Sequence, residues 1–211
     1  MNEFAYKTKI IDDKIDGIGG WVWPVTDSGL WDGPKNDWPA LKQGLQTNVS
    51  KFDVCVQAGG ACGMYPRLLS QLFSVVYTFE PDPLNFHCLT NNCQSPNIIK
   101  INTALGGRNE LVSIQHGHES NLGTHRITGN GTRIIPTFAI DQLELEQCDL
   151  IQLDVEGYEE NVLSGAMNTI SRFKPVVVIE TCSEKSRQWL TSLGYTFIGR
   201  FGHADSLFAV L

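Results

Sequence analysis

An apolar segment that runs directly into closely spaced glycines is the feature that most restricts how this chain can fold. Residues 52–58 (FDVCVQA) have the character of a buried strand, and glycines follow at positions 59, 60 and 63. This order predicts a strand, a tight turn and a helix, with backbone N–H groups placed to approach a ligand closely. The turn alone is also compatible with a tight connection that binds nothing.

A second apolar run ends in an acidic residue at the spacing found in nucleotide-binding folds. Glu80 follows the run 75–79 and lies 21 positions after Gly59. An acid about 20 residues beyond the turn accepts hydrogen bonds from ribose hydroxyls in such folds, a role that suits an acceptor-only carboxylate. Together the two features predict a nucleoside site. The alternative for Glu80 is a solvated acid at a strand end.

Short apolar runs alternate with helical segments from position 54 onward, the pattern of a parallel sheet covered by helices. We predict strands near 53–58, 75–80, 98–102, 149–154 and 175–180, and helices near 41–49, 65–73, 83–93, 158–171 and 184–192. Residues 111–115 and 133–137 are predicted to form an antiparallel hairpin arm around a Gly- and His-rich loop, 116–132. A terminal hairpin is predicted from 194–199 and 207–211. The expected fold class is α/β, with a doubly wound, mostly parallel sheet and a C-terminal antiparallel hairpin.

The first 50 residues differ in character from the remainder, so we divide the chain into an N-terminal segment, 1–50, and one domain, 51–211. Residues 16–40 are rich in Gly, Pro, Asp and Trp, which predicts an irregular segment. Its tryptophans are Trp21, Trp23, Trp31 and Trp38. One interpretation packs these rings into the core. The other is a lid in which Trp31 and Asp32 close over the ligand.

Charge and hydropathy argue against two kinds of partner. Sixteen Lys and Arg against 23 Asp and Glu give a net charge of −7, without a basic cluster, so nucleic acid is not expected as a partner. No stretch approaches the ~20 apolar residues of a membrane span, and the N-terminus lacks an apolar signal core. We therefore expect a soluble, cytoplasmic protein. The six cysteines contain no CxxC pair and are expected to be reduced and buried.

Six short segments carry the most specific pattern in the chain. They are residues 58–63 (AGGACG), 79–86 (FEPDPLNF), 102–106 (NTALG), 141–143 (DQL), 150–157 (LIQLDVEG) and 175–180 (PVVVIE). In this order they resemble the FkbM family of S-adenosylmethionine-dependent methyltransferases, a branch of the seven-stranded class I, Rossmann-like fold. The resemblance implies S-adenosyl-L-methionine as the methyl donor and S-adenosyl-L-homocysteine as the product.

The resemblance also assigns residues to the cofactor. The glycine turn would lie against the methionine moiety, Glu80 would hold the ribose, and residues 102–104 would flank the adenine. The full set implied for cofactor binding is Gln57, Ala58, Gly59, Gly60, Gly63, Met64, Tyr65, Glu80, Pro81, Asp82, Asn102, Thr103, Ala104, Asn121 and Asp154.

Three positions depart from the family pattern. Gln57 stands where an acid is usual, Pro66 where Thr or a similar residue is usual, and Gln152 where Lys is usual. Gln57 can still accept a hydrogen bond from an ammonium group, but without the strength that a charge adds.

Methyl transfer from a sulfonium is an in-line displacement, and a hydroxyl acceptor gains from a general base near its proton. The candidate bases are His116, His118, His125, Asp154 and Glu156, of which His118 is preferred. In this hypothesis the 116–132 loop folds over the cofactor, with Asn121 beside it. The alternative is a solvated loop whose histidines have no role.

No metal site is predicted. His116, His118 and Glu119 match no common zinc spacing and are not completed by clustered cysteines. Asp154 and Glu156 alternate along a strand end, so they point to opposite faces unless the strand has already ended. A hydrolase with paired carboxylates is therefore disfavoured.

The function that follows is O-methylation of a hydroxyl on a sugar, glycan or small molecule, with His118, Asp154 and Glu156 as catalytic residues. An inactive module that still binds the cofactor is the alternative that Gln57 and Gln152 keep open. An NAD-dependent oxidoreductase is disfavoured, because residues 59–64 read GGACGM and lack a GxGxxG motif.

Overall fold

The structure, a computed structural model, describes residues 6–28, 32–115, 117 and 120–211. Its strands are β1 (Thr8–Ile11), β2 (Trp21–Pro24), β3 (Val54–Ala58), β4 (Val75–Phe79), β5 (Ile98–Ile101), β6 (Ala104–Leu105), β7 (Glu110–Gln115), β8 (Arg126–Thr128), β9 (Arg133–Phe138), β10 (Leu150–Leu153), β11 (Val176–Glu180), β12 (Thr196–Phe201) and β13 (Asp205–Ala209). Its α-helices are α1 (Asp32–Asn48), α2 (Met64–Leu69), α3 (Pro83–Asn92), α4 (Glu159–Ser164), α5 (Met167–Phe173) and α6 (Glu184–Ser192).

A large sheet forms the centre of the molecule, with strand order β12-β13-β11-β10-β3-β4-β5. The neighbours from β11 to β5 are parallel, whereas β13 is antiparallel to both β11 and β12. The five strands predicted for the parallel part are present within one residue of their predicted bounds. The predicted α/β fold with a mostly parallel sheet is therefore confirmed.

Strand alternation divides the apolar side chains between two helix layers. Cys55 and Leu150 face a core shared with α1, α2 and α3, whereas Val56 and Ile151 face a second core shared with α4, α5 and α6. Because both faces are covered, the parallel strands are apolar almost throughout, as β10 shows with four consecutive buried residues. In the described part of the chain, no helix combines the length and the hydropathy that crossing a bilayer requires.

The N-terminal segment is more regular than predicted. It contains the antiparallel pair β1–β2 and the 17-residue helix α1, which begins at Asp32 rather than near residue 41. Trp21, Trp23 and Trp38 are at most 1% exposed and belong to the same core as the sheet. Burial of these rings outweighs the helix-breaking character of Pro39 inside α1, which is why a prediction from propensity was wrong here. Trp31, the centre of the lid hypothesis, lies outside the described residues.

A smaller sheet, ordered β6-β9-β7-β8, stands beside the carboxyl end of the large one. Pairing of β7 with β9 is antiparallel and confirms the predicted hairpin arm. The stretch 116–132, predicted to be loop throughout, also holds a short 3-10 helix (Leu122–Thr124) and β8. β8 forms because Ile127 pairs with Ile114, which places two apolar side chains on the inner face of the arm.

The helix predicted at 158–171 is two helices, α4 and α5. A Cβ atom at Gly165 would lie 2.1 Å from the carbonyl oxygen of Gly106, so the chain there is held against another backbone. The Asp141 carboxylate then accepts hydrogen bonds from the N–H groups of Asn168 (2.9 Å) and Thr169 (2.8 Å), near the start of α5. This capping stabilises a second helix start that periodicity does not reveal.

We expect Trp38→Ala to lower the free energy of unfolding by about 3–5 kcal/mol, because it removes a fully buried ring and leaves a cavity that the surrounding core cannot fill. Urea unfolding monitored by far-UV circular dichroism measures this change. The matched control is Leu111→Ala, since Leu111 is 72% exposed and should change stability by less than about 0.5 kcal/mol. Equal effects of the two substitutions would contradict the placement of Trp38 in the core.

Candidate active site

A cavity of about 230 Å³ opens at the carboxyl edge of the parallel strands, where ligands bind in open α/β sheets. Its walls come from the turn after β3, the ends of β4, β10 and β11, the start of α1, and the arm. The lining residues are Gly33, Pro34, Asp37, Gly59, Ala61, Tyr65, Phe79, Glu80, Pro81, Asn85, Ala104, Leu105, Ile114, Asn121, Leu122, Gly123, His125, Ile127, Asp154, Val155, Glu156 and Glu180.

The N–H groups of the three glycines in the turn are already bonded within the protein, so these three donors are not presented to a ligand. The N–H groups of Gly59 and Gly60 both donate to the Phe79 carbonyl, at 3.1 and 2.9 Å, and that of Gly63 donates to the Gly60 carbonyl. Gly59 has φ +80°, and a Cβ atom there would lie 1.7 Å from the Asp154 carbonyl oxygen. The turn can therefore fit between β4 and β10 only without a side chain at position 59.

Glu80 is a buried carboxylate held by two backbone donors, 5% exposed at the cavity wall. Its Oε2 accepts from the Ala61 N–H and its Oε1 from the Asp82 N–H, both at 2.7 Å. Burial raises the pKa of this carboxyl to about 8, although the two N–H groups act in the opposite direction. The Asn85 side chain also hydrogen-bonds to this carboxyl group, which leaves one of its roughly four acceptor positions for a further donor such as a hydroxyl.

Asp82, Asn102 and Thr103 support this wall rather than line the cavity. The Asp82 carboxylate caps α3 by accepting from the N–H groups of Leu84 and Asn85. Asn102 donates to the Glu80 carbonyl at 2.7 Å, and the Thr103 hydroxyl donates to the Pro136 carbonyl at 2.7 Å. Ala104 lines the cavity itself.

The described residues 120–125, which we name the cap, border the cavity from the arm side. Asn121, Leu122, Gly123 and His125 line the cavity. The Asn121 side chain accepts from the Gly123 N–H at 3.1 Å and so shapes the cap. His118, the base preferred from sequence, lies outside the described residues, as do His116 and Glu119.

Three carboxylates converge where β10 and β11 end. β10 ends at Leu153 and Glu156 has φ +53°, so the chain turns and Asp154 and Glu156 do not point to opposite faces. One oxygen from each of Asp154, Glu156 and Glu180 lies within 4.8 Å of the others, a spacing that would also suit a metal ion. Burial, with Glu180 next in importance, raises the pKa of both Asp154 and Glu156. Crowded carboxylates favour any cation that enters.

Gln57 is buried behind the cavity rather than on its wall. Its amide donates to the carbonyls of Ala58 (3.1 Å) and Gly59 (3.0 Å), and its carbonyl oxygen accepts from the Thr78 hydroxyl at 2.5 Å. These bonds join Gln57 to the glycine turn and to β4, and so stabilise the turn.

The structure thus separates the predicted cofactor residues into three groups. Those on the cavity wall are Gly59, Tyr65, Glu80, Pro81, Ala104, Asn121 and Asp154. Gly60 and Met64 line an adjoining recess. Gln57, Ala58, Gly63, Asp82, Asn102 and Thr103 line neither of these cavities. The catalytic candidates Asp154 and Glu156 both line the main cavity.

Asp37 and Glu180 are cavity residues that the sequence analysis did not select. Glu180 ends an apolar strand as Glu80 does, so the signal was present in the sequence. Asp37 gives no such signal. It reaches the cavity because α1 packs on the sheet, and its carboxylate accepts from the His203 N–H at 3.0 Å and lies 2.6 Å from His203 Nδ1.

A doubly wound sheet with a cavity at its carboxyl edge is the arrangement of open α/β folds, whose ligands bind at that edge. The model of the methyltransferase FkbM domain matches residues 66–208, and the chain belongs to this family.

Individual relatives agree with this membership. The hexuronic acid methyltransferase AglP of Haloferax volcanii is 29% identical over 140 residues, which cover 64% of this chain and 58% of that protein. The chain thus matches less than two thirds of that relative's length. A solved structure of a methyltransferase FkbM from Methylobacillus flagellatus KT has a TM-score of 0.56 at 19% identity, covering 75% of this chain and 44% of the other. Trm5b from Pyrococcus abyssi has a TM-score of 0.50 at 12% identity, covering 96% and 54%. These structural likenesses show the fold.

Asp205 provides a test of the charge distribution behind the cavity. Burial, with Glu180 and Asp37 nearby, raises the pKa of Asp205 to about 7 from a usual value of 3.8. The folded state therefore binds this proton more tightly than the unfolded state, and stability falls as pH rises from about 4 to about 7, by at most about 1.4 kcal/mol per pH unit for one group.

Asp205→Asn should remove that part of the slope, so that the variant gains stability relative to the parent as pH rises from about 4 to about 7. Urea unfolding at several pH values measures it, with exposed Glu146→Gln as the control that should leave the slope unchanged. An identical slope in Asp205→Asn would show that Asp205 ionises normally.

Proposed function

We propose that the protein is an S-adenosylmethionine-dependent O-methyltransferase whose acceptor is a hydroxyl of a sugar, glycan or small molecule. The observation that carries the proposal is one cavity with Glu80 on one wall and with Gly59, Asp154 and Glu180 on another. A nucleoside with a cationic end fits both walls. A ribose hydroxyl would donate to the Glu80 carboxylate, and the positive charge would lie beside the acidic side chains of Asp154 and Glu180. The seven-stranded sheet with an antiparallel pair at one edge supports a class I assignment. S-adenosylmethionine, when bound, supplies a methyl group on a positively charged sulfur.

The nucleoside half of the proposed site depends on Glu80. The N–H groups of Ala61 and Asp82 and the Asn85 side chain use three of its acceptor positions, and the position that remains suits a ribose hydroxyl. With four donors directed at it, the carboxyl group has no position left for its own proton. Phe79, Pro81 and Ala104 give the adjoining wall an apolar surface for a purine ring.

The methionine half is assigned to the acidic cluster. Gln57 lacks the charge that the family usually places there, and its amide already bonds within the protein. Asp154, whose carbonyl meets Gly59, and Glu180 beside it are the carboxylates nearest the glycine turn. We assign the ammonium group to these two side chains, since a charge-assisted bond there replaces the one that position 57 cannot make.

Glu156 is assigned the proton-accepting role. It is more exposed than Glu80, and its Oε2 lies 3.4 Å from Nη2 of Arg126. Burial and Glu180 raise the pKa of Glu156 while Arg126 lowers it, which favours a base that titrates nearer to neutrality than a free carboxyl does. As the acceptor oxygen bonded to the methyl carbon, the bond from that carbon to the sulfonium sulfur would break and leave a neutral thioether. The hydroxyl proton would pass to the Glu156 carboxylate. His118 stays a second candidate for the base.

The charge of the cavity favours an acceptor that is not an anion. Five carboxylates line it, and the described lining residues include no Lys or Arg. A uronate carboxylate as the acceptor would face like charges, which costs several kcal/mol without cationic partners. The Haloferax relative is named for hexuronic acid, so we propose that this chain differs from it in taking a neutral or amino-bearing acceptor through a hydroxyl group.

We expect Glu80→Gln to weaken binding of S-adenosylmethionine and S-adenosylhomocysteine at least about tenfold, because an amide supplies a donor where an acceptor is needed. In the parent protein, affinity should rise with pH up to about 8 and level off above it, since ligand binding expels the Glu80 proton. In the variant this dependence should be absent. Calorimetric titration between pH 6 and 9 measures both.

Glu146→Gln, the same change at an exposed acid, is the control and should leave affinity unchanged. Tight binding of NAD without either sulfur compound would establish the oxidoreductase instead. Binding of S-adenosylmethionine with no methyl transfer to any acceptor would support the inactive module.

Glu156→Gln should reduce kcat about 10²- to 10⁴-fold while changing the affinity for S-adenosylmethionine by less than about threefold, because only the proton acceptor is lost. Asp154→Asn should weaken cofactor binding. Transfer of a labelled methyl group to paired acceptors, a neutral hexoside, an amino hexoside and the matching hexuronide, measures the kcat and the preference. The hexuronide should be the poorest acceptor. If the carboxyl group of the hexuronide were methylated fastest, the argument from cavity charge would be refuted. Full activity of Glu156→Gln would instead identify His118 as the candidate base.

A further inference from the structure

Asp27 is a buried carboxylate that joins two distant parts of the chain. It follows β2, is 1% exposed, and accepts hydrogen bonds at both oxygens. The indole N–H of Trp23 donates to Oδ1 at 3.0 Å, and the backbone N–H of Leu122 donates to Oδ2 at 2.7 Å. The second bond spans 95 positions in sequence and ends in the cap.

The side of this link that carries Asp27 is firmly supported. Asn92 on α3 pairs with the backbone of β2, accepting from the Val22 N–H at 2.7 Å and donating to the Val22 carbonyl at 2.9 Å. Trp23 is fully buried in the core. Asp27 therefore extends from a rigid part of the molecule.

The cap, in contrast, contains no buried apolar residue to hold it in place. Its backbone is tied to the body at a few points. The Asn85 side chain donates to the Leu122 carbonyl at 3.1 Å, and the Ser28 N–H donates to the Ser120 carbonyl at 2.9 Å. Among the cap's other described contacts, the Leu122 N–H donates to Asp27 and Nδ1 of His125 lies 3.8 Å from Oδ2 of Asp82.

We propose that Asp27 is a positioning residue that holds the cap closed over the cavity, so that the N-terminal hairpin β1–β2 controls cofactor affinity. This role rests on the proposed function, because the ligand under the cap is the proposed cofactor. The family model begins at residue 66, so Asp27 lies in a part of the chain that the family match does not include.

The physical basis is the cost of burying a carboxylate, which is offset only when strong donors reach it. The Trp23 indole and the Leu122 backbone are fixed N–H donors, so an amide at position 27 can accept from one of them and must direct its own N–H₂ group at the other. The cap then opens part of the time. A ligand that requires the closed cap binds more weakly by the fraction of molecules that remain closed.

Asp27→Asn is the test, with two matched controls. Trp23→Phe removes the indole donor but keeps the bond from Asp27 to Leu122. Asp149→Asn alters another carboxylate that accepts backbone N–H groups, those of Asp53 and Val54, at the opposite edge of the sheet. The measurements are amide hydrogen exchange at Leu122 in the free protein, the dissociation constant of S-adenosylhomocysteine, and kcat at saturating S-adenosylmethionine.

Asp27→Asn should leave the cap closed in only about a tenth of the molecules, which raises the dissociation constant about tenfold. Leu122 should then exchange nearly as fast as an unstructured amide, and kcat should stay within about twofold, since the bound state has the same closed cap. Both controls should lower the melting temperature and leave these values within about twofold. Unchanged Leu122 exchange in Asp27→Asn, or equal effects in Trp23→Phe, would overturn the proposal.

The parent protein provides a second measurement if Asp27→Asn does not fold. Its Leu122 amide should exchange at least about a hundredfold more slowly than an unstructured amide. A rapidly exchanging Leu122 amide would overturn the proposal that Asp27 holds the cap closed. Failure of the parent to bind S-adenosylhomocysteine would refute the proposed function alone, because the exchange measurements in the free protein still decide whether Asp27 holds the cap.

Discussion

The rest of the site depends on the contact between the backbone of Gly59 and the carbonyl oxygen of Asp154. No side chain fits between these two chain segments, since a Cβ atom at position 59 would lie 1.7 Å from that oxygen. The same turn is joined to β4 through the Phe79 carbonyl. One residue without a side chain therefore fixes the ends of β3, β4 and β10 relative to one another. The positions of Glu80 and of the acidic cluster follow from that arrangement.

The acidic cluster shows how such a site is maintained against its own electrostatics. Burial raises the pKa of Asp154, Glu156 and Asp205, which means that the protein loses stability by holding these groups out of water. Packing of both helix layers on an almost wholly apolar sheet compensates for that loss. Instability concentrated beside a cavity is common where a ligand of opposite charge is to be bound.

The parts of the structure that depend on local pattern could be predicted from the sequence. The five parallel strands were located within one residue, because each is a short apolar run between turn residues. Glu80 was found because its place follows from strand length and turn length alone. The start of α1 could not be found, because burial of Trp38 overrides the proline in the helix. Asp37 reaches the cavity through the packing of α1, and the direction of Gln57 depends on its bond to Thr78. These are contacts between distant segments that leave no periodic signal.

The position of β13 in the large sheet has a consequence for the order in which the protein assembles during synthesis. β13 comes after β12 along the chain but lies between β12 and β11 in space. β12 therefore has no strand partner as it leaves the ribosome, and it must wait until β13 has emerged and docked. Until then the buried edge of β11 is open, and nascent chains are exposed to strand exchange with one another at that edge.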